Sequence, residues 1–399
     1  MKNQLNKCKI FIAGHNGMVG TALKNYLIGN NIKKVITASR KDLDLQVEKQ
    51  VEKFIKKNKP DIIINCAGKV GGILANSTYP TEFLYENIYI QTNLIKSAYK
   101  NKVKHFLNLG SSCIYPSNSK QPIKEKYLLS SDLEKTNEAY ALAKIVGLKA
   151  CQFYNEQYNT NYFTLMPCNL YGPNDNFDSK NSHFIPALIK KFINGKNKKK
   201  HFVEVWGSGK PKREIMHVDD LASAIFFILD KKVRKEKNFE KFLKKNCVIN
   251  VGSGQELSIK KFAELISKLT LGKFKLKFNK KYPDGTKRKI LDNTILKKFG
   301  WKPKISLKDG LENTAIGVGL AILIVVYILI IFETVHRTLA AAVGGLAAVI
   351  ALNYFTNEPS LSLKAVTTMI DWETIGLLLG MMVMVGVISH TGVFEWFAV

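Results

Sequence analysis

Short, uninterrupted apolar runs alternate with longer amphipathic stretches along the first 314 residues. Residues 8–13 (CKIFIA), 35–38 (VITA), 61–67 (DIIINCA), 104–109 (KHFLNL) and 162–166 (YFTLM) have the length and composition of buried strands. The segments that follow residue 17 and those at 85–99 and 138–154 carry helical periodicity instead. Strand and helix in strict alternation predict an α/β fold: a Rossmann-like, doubly wound parallel sheet whose ligands lie at the carboxyl ends of its strands. A further apolar stretch, 248–251, is expected to return to the same sheet.

The turns that leave these strands carry the chemistry. Gly14, Gly17 and Gly20 (GHNGMVG) follow the first strand and open a helix. There they allow a tight turn, close approach of the backbone to a pyrophosphate, and phosphate on a helix N-terminus. The spacing is GxxGxxG rather than GxGxxG, and a strand–helix turn without a ligand is the bland alternative. The next strand ends at Ser39-Arg40, where an NAD-binding chain would offer a carboxylate to the ribose. A cation there suits the 2′-phosphate of NADP, against the plain reading of a surface arginine. Gly14, Arg40, Ala67-Gly68 and Gly110-Ser111 all fall on one rim of the expected sheet. Tyr140 and Lys144 form YxxxK on a helix, one turn apart and on one face. The ammonium is expected to lower the phenol's pKa. Cys113 stands in GSSCIYP, two residues beyond Ser111, on the same rim. Packing is the ordinary role of such a cysteine.

Charge divides the chain. The net charge is +28, yet beyond Thr314 only Arg337 and Lys364 oppose Glu333, Glu358, Asp371, Glu373 and Glu395. The last 85 residues therefore carry −3 and the first 314 carry +31, a break that marks a boundary. The lysines are scattered without interleaved aromatics, which argues against a nucleic-acid partner; an anionic small substrate would still be drawn to such a surface. Six cysteines (8, 66, 113, 151, 168, 247) form no CxxC pair, as suits reduced thiols. No metal site is expected. The first residues lack the apolar stretch of a secretory leader, so the basic part reads as cytoplasmic.

Ser111, Tyr140 and Lys144 together resemble the Ser–Tyr–Lys set of the short-chain dehydrogenase/reductase superfamily. Blocks at 11–20 (FIAGHNGMVG), 69–80 (KVGGILANSTYP), 110–116 (GSSCIYP), 137–144 (NEAYALAK), 167–177 (PCNLYGPNDNF), 181–187 (NSHFIPA), 206–220 (WGSGKPKREIMHVDD) and 283–289 (PDGTKRK) look more narrowly like the GDP-L-fucose synthases. That resemblance spans nearly all of the first 314 residues. It implies a substrate, GDP-4-keto-6-deoxy-D-mannose, whose C3 and C5 are epimerised before C4 is reduced by NADPH. Cys113 matches the family's base and His183 its acid. Tyr140 matches the proton donor to the C4 oxygen, Lys144 the residue that tunes the tyrosine and holds the nicotinamide ribose, and Ser111 a hydrogen-bond partner of the C4 oxygen. The cofactor set implied is Gly14, Gly17, Met18, Val19, Gly20, Arg40, Gly110, Ser111, Tyr140, Lys144, Pro167, Asn169, Leu170 and His183. Lys191, Trp206, Arg213 and Asp284 match positions that hold GDP and sugar. Arg213 is suited to fork onto a diphosphate and Trp206 to pack on flat ligand surface. Two positions depart from the pattern. Lys191 stands where arginine is usual, and Cys168 where threonine is usual. The stretch 217–220 (HVDD) reads as a structural tie between substrate lobe and sheet. The resemblance further implies a homodimer built through two helices of each subunit. The domain boundaries expected are 1–170 for the NADP-binding domain, with returns around 214–255, and 171–314 for most of a smaller C-terminal substrate lobe.

Residues 315–332 are an uncharged run of 18, followed by runs at 339–355 and 375–394. Each is a candidate for spanning a membrane, so residues 315–399 read as an all-α transmembrane segment of three helices. Positive charge upstream would keep the preceding domain on the cytoplasmic side. The stretch 370–399 resembles the amino-terminal part of the ion-transporter superfamily of arsenite, citrate and sodium/proton carriers. Three spans do not make the inverted-repeat core of such carriers. The junction has no linker: it reads either as a fusion that tethers a reductase to a membrane or as two joined reading frames. Two alternatives to the synthase reading stay open. One is another nucleotide-sugar epimerase of the superfamily; the other is a truncated transporter fragment fused to a nucleotide-binding domain.

Overall fold

Strands covered by helices on both faces are largely apolar, and IFIA, IIIN, YFTLMP and VINV contain no exposed position. The computed structural model describes residues 4–176, 184–197, 201–233, 236–269, 274–282, 284–311 and 314. In chain order β1 (Ile10–Ala13), α1 (Met18–Gly29), β2 (Val35–Ile36), α2 (Glu48–Asn58) and β3 (Ile62–Asn65) are followed by α3 (Ile73–Thr78), α4 (Pro80–Lys100), β4 (His105–Leu109), α5 (Glu138–Tyr158) and β5 (Tyr162–Pro167). Then come β6 (Asn169–Tyr171), α6 (Phe184–Asn197), β7 (Phe202–Trp206), β8 (Lys212–His217), α7 (Val218–Val233) and α8 (Lys237–Asn246). The series closes with β9 (Val248–Val251), β10 (Glu256–Ser258), α9 (Ile259–Leu269), β11 (Lys275–Asn279), β12 (Arg288–Lys289) and α10 (Thr294–Lys298).

Six strands pair in parallel in the order β2-β1-β3-β4-β5-β9, which includes the late return expected of residues 248–251. The order reverses between β1 and β3, and a crevice opens at such a reversal, outside the carboxyl ends of the two strands. The expected helix at 85–99 starts earlier, at Pro80, whose fixed φ suits a first helical turn. The helix at 138–154 runs on to Tyr158 and ends in a left-handed Asn159.

A buried polar chain fixes how α4 and α5 sit on the sheet. Asn65 donates to Asn108 (2.9 Å), Asn108 to Gln91 (3.0 Å), and Gln91 to the carbonyl of Ala143 (3.1 Å). A side chain at Gly147 would strike Gln91 Oε1 at 2.1 Å, so the approach of α5 depends on that glycine. The register of α5, and with it of Tyr140 and Lys144, is set by these contacts.

A second core gathers Tyr171, Ile185, Leu188, Phe192, Val203, Val205, Ile215, Phe262 and Ile266 under the small sheet β10-β8-β12. β6 also pairs with β8, and β7 with β11. Within the HVDD stretch, Asp220 accepts hydrogen bonds from the backbone N–H groups of Lys304 (2.9 Å) and Ile305 (3.1 Å). Residues 318–399 form a separate unit. The three apolar runs expected to span a membrane lie outside the described residues. Among the described residues, no helix is long and apolar enough to cross a membrane.

One buried carboxyl joins three segments. Glu214 on β8 accepts from the backbone N–H groups of Gly254 (2.6 Å) and Leu291 (2.8 Å). Burial nonetheless pushes its carboxyl up to about 7. The folded value lies above the unfolded one of roughly 4.3. The stability it confers is therefore full below that unfolded value and is lost as pH rises through about 7. Urea unfolding of the wild type and of Glu214→Gln across pH 4.5–7 should show the difference. The substitution is expected to remove a downward slope of at most ~1.4 kcal/mol per pH unit; identical slopes would contradict the assignment.

Candidate active site

The glycine turn is shaped by contacts that only glycine permits. Gly14 has φ +82°, and a Cβ there would lie 2.7 Å from Ala67 N and Cα, at the end of β3. A Cβ on Gly20 would lie 2.2 Å from the Gly14 carbonyl oxygen. Gly17 is different: a Cβ would meet nothing closer than 3.6 Å, and the residue stands at the N-cap of α1 without a side-chain cap. Met18, Val19 and Gly20 then form the first turn, whose N–H groups and positive dipole end suit a phosphate. Arg40 is exposed just beyond β2. A cradle that a Cβ would fill, an uncapped helix N-terminus and a cation past β2 fit a dinucleotide with a 2′-phosphate. Across the sheet Pro167 closes β5, and Asn169 and Leu170 begin β6, half-buried.

The Ser–Tyr–Lys set is assembled from one turn and one helix. Gly110 packs so tightly on Met166 that a Cβ would sit 2.4 Å from its sulfur. Ser111 is extended, and its Oγ accepts the Cys113 N–H (3.2 Å), capping the 3-10 turn Ser112–Ile114. The same hydroxyl hydrogen-bonds the phenol of Tyr140. Lys144 is buried and donates from Nζ to the Leu109 carbonyl (3.0 Å), at the end of β4. Gly68 adjoins it: a Cβ there would approach Lys144 Nζ to 3.4 Å. Of the rim residues expected from the alternation of strands and helices, Ala67 meets Gly14, and Gly68 and the turn at Gly110-Ser111 meet at Lys144.

The electrostatics depart from expectation at Tyr140. Burial pushes its phenol well up, the Cys113 sulfur adds to this, and only the Ser111 hydrogen bond opposes it. Lys144 does not lower it here. Its ammonium lies 5.7 Å from the centre of the phenol ring, is engaged with Leu109, and is itself pushed down to about 8 by burial. The ammonium gives its hydrogen bond to the Leu109 carbonyl instead of to the phenol oxygen.

Around Cys113 the structure adds a residue that the sequence reading did not single out. Lys289 Nζ lies 3.7 Å from Cys113 Sγ and donates to it. Arg213 also faces the sulfur, but its fork is engaged: Nη1 donates to the carbonyls of Thr286 (2.6 Å) and Lys212 (2.9 Å), and Nη2 to that of Asp284 (3.2 Å). A two-pronged grip on a diphosphate requires these bonds to be exchanged. Asp284 accepts from the N–H (2.6 Å) and hydroxyl (2.7 Å) of Ser208, which hold its carboxyl below the usual range. It anchors the WGSG turn. The ring of Trp206 is stacked on Tyr282 at 4.1 Å, and Lys191 Nζ lies 4.1 Å over it. Both at van der Waals distance, the two must lie on opposite faces, so Trp206 gains a free face only when one of them moves. His183 lies outside the described residues. Lys289 and Tyr282 had no local signature: one is among 60 basic residues, the other among 15 tyrosines.

A dinucleotide cradle, a Ser–Tyr–Lys set and a thiol on one rim define a nicotinamide-dependent enzyme of the sugar-nucleotide epimerase type. The chain belongs to the NAD-dependent epimerase/dehydratase family, whose model matches residues 10–252. It is 46% identical to GDP-L-fucose synthase 1 of Arabidopsis thaliana, over 77% of this chain and 91% of that protein. It is 44% identical to GDP-L-fucose synthase of Escherichia coli, over 78% and 96% of the two chains. Among solved structures it resembles a GDP-mannoheptose C4 reductase from Campylobacter jejuni with NADP bound. There the TM-score is 0.69 and the identity 35%, covering 78% and 98% of the chains. A second family model, that of citrate transporters, matches residues 327–399.

Proposed function

We propose that the first 314 residues convert GDP-4-keto-6-deoxy-D-mannose to GDP-L-fucose, by epimerisation at C3 and C5 followed by reduction at C4. One observation carries the reading: Ser111 bridges the N–H of Cys113 and the hydroxyl of Tyr140, so thiol and phenol share one small site. The GDP-L-fucose synthase relatives, at 44–46% identity over nearly their whole length, supply the substrate class.

The C4 ketone acidifies the hydrogens on C3 and C5. Cys113, as thiolate, takes such a proton, and the electron pair left behind spreads onto the C4 oxygen. Ser111 donates a hydrogen bond to that oxygen, where charge develops. His183, in the NSH block, returns a proton on the opposite face. Gly14, Gly17, Met18, Val19 and Gly20 hold the cofactor's pyrophosphate and Arg40 its 2′-phosphate. Gly110, Pro167, Asn169, Leu170 and His183 line its nicotinamide half, and Lys144 binds the adjoining ribose. NADPH, when bound, supplies the hydride for C4. Tyr140 gives the C4 oxygen its proton: a phenol held neutral by burial keeps that proton until the oxygen becomes basic. Lys191, Trp206, Arg213 and Asp284 form the wall that takes the GDP-sugar.

Two features lie outside the reaction. Exposed Tyr85, Tyr89, Phe153 and Tyr158 on α4 and α5 support pairing of two subunits through these helices. The match of residues 327–399 to the citrate transporter model supports a membrane-associated segment after the enzyme. Alkaline carbonate washing of membranes should retain the full chain and release a version ending at Thr314; release of both would remove the membrane reading.

With the keto-sugar in D2O, the wild type should oxidise NADPH steadily and form GDP-L-fucose labelled at C3 and C5. Cys113→Ser should lower label uptake at least 100-fold while NADPH binding, read by fluorescence titration, is unchanged. Absence of NADPH oxidation in the wild type, or undiminished labelling in the variant, would overturn the proposal.

A further inference from the structure

The register of two strands puts two cations beside one sulfur. β12 pairs with β8 in parallel, with Lys289 opposite Arg213. Residues opposite each other in paired strands project from one face of a sheet. Both cations face Cys113, and Lys289 is in hydrogen-bond contact with it at 3.7 Å.

The backbone around Lys289 is pinned from several sides. Arg288 grips Glu256 through Nε (2.9 and 3.0 Å) and Nη2 (2.6 Å). Ile290 N–H donates to Gln121 Oε1 (2.9 Å), Leu291 N–H to Glu214 Oε2 (2.8 Å), and Ile123 N–H to the Ile290 carbonyl (2.8 Å). A long, flexible ammonium arm thus starts from a fixed point. Three of the five N–H donors of Arg213 are spent on the carbonyls of residues 212, 284 and 286, whereas the bond to the sulfur comes from Lys289. The charged and titratable groups that the structure places against the sulfur include Tyr140 on α5, Arg213 on β8 and Lys289 on β12.

We propose that Lys289 is a positioning residue for the thiol: it orients Cys113 Sγ toward the sugar and pairs its charge while the sulfur acts as thiolate. The inference rests on the reading of Cys113 as the base. When the sulfur takes the carbon-bound proton, it becomes neutral and the pair dissolves; when the proton leaves, the pair reforms. Lys289 therefore acts on the proton-transfer half of the reaction through Cys113 and leaves hydride transfer to Tyr140 and the cofactor.

The test uses the full chain without sugar. The rate of alkylation of the Cys113 peptide by iodoacetamide is followed by mass spectrometry from pH 6 to 9. Lys289→Met should slow it at least tenfold at pH 7, and Lys289→Arg should restore most of the rate. In D2O with the keto-sugar, Lys289→Met should lower the turnover of C3 and C5 labelling at least tenfold at saturating substrate. An unchanged alkylation profile with only a raised KM would make Lys289 a diphosphate contact and overturn the proposal. Loss of alkylation with no rescue by arginine would also overturn it. Should Lys289→Met alter alkylation as expected while the wild type takes up no label, the reading of Cys113 as base fails and the pairing of Lys289 with the sulfur stands.

Discussion

The bond from Lys144 Nζ to the Leu109 carbonyl joins the catalytic helix to the strand whose following turn carries the thiol. Leu109 is the last residue of β4, Gly110 and Ser111 come next, and Cys113 follows within one 3-10 turn. Tyr140 lies one turn before Lys144 and reaches back to Ser111. The proton donor and the thiol are thus positioned by the same few atoms. The buried chain from Asn65 through Asn108 and Gln91 to Ala143 holds the same two elements one layer deeper, in a water-poor interior where each unmade bond is costly. Gly147 lets them approach that closely.

The second lobe contributes charge to this centre. β8 carries Arg213 and β12 carries Lys289, and their pairing places both beside Cys113. Glu214, the neighbour of Arg213 on β8, faces the other way and binds the backbone at Gly254 and Leu291, fixing the strand from behind. A single strand thus turns one residue toward the sulfur and the next into the interior, the ordinary alternation of a pleated strand.

Much of this was legible in the sequence because it is local. The alternation of apolar runs and amphipathic segments gave the parallel sheet, and the glycines at 14 and 20 marked the turn where no side chain fits. YxxxK and GSSC are short enough to be read directly. What escaped was long-range. Lys289 meets Cys113 across 176 positions, and nothing in PDGTKRK marks one of its lysines or arginines over another. The expectation that Lys144 depresses the Tyr140 phenol failed for a related reason. Spacing on a helix places an ammonium, but its effect depends on burial and on a carbonyl from another element. Arg213 and Trp206 also have partners that their own segments do not reveal, the carbonyls of residues 284 and 286 and the ring of Tyr282.

Separation of the proton-accepting thiol from the proton-donating phenol within one site is the most direct point to measure. Tyr140→Phe keeps the ring and removes only the hydroxyl, leaving Cys113 in place. With the keto-sugar and NADPH in D2O, that variant should go on exchanging the C3 and C5 hydrogens at a rate within a few-fold of the wild type. Its NADPH oxidation should fall at least 100-fold. Exchange and oxidation lost in equal measure would mean that thiol and phenol do not divide the work, and the shared-site mechanism would be wrong.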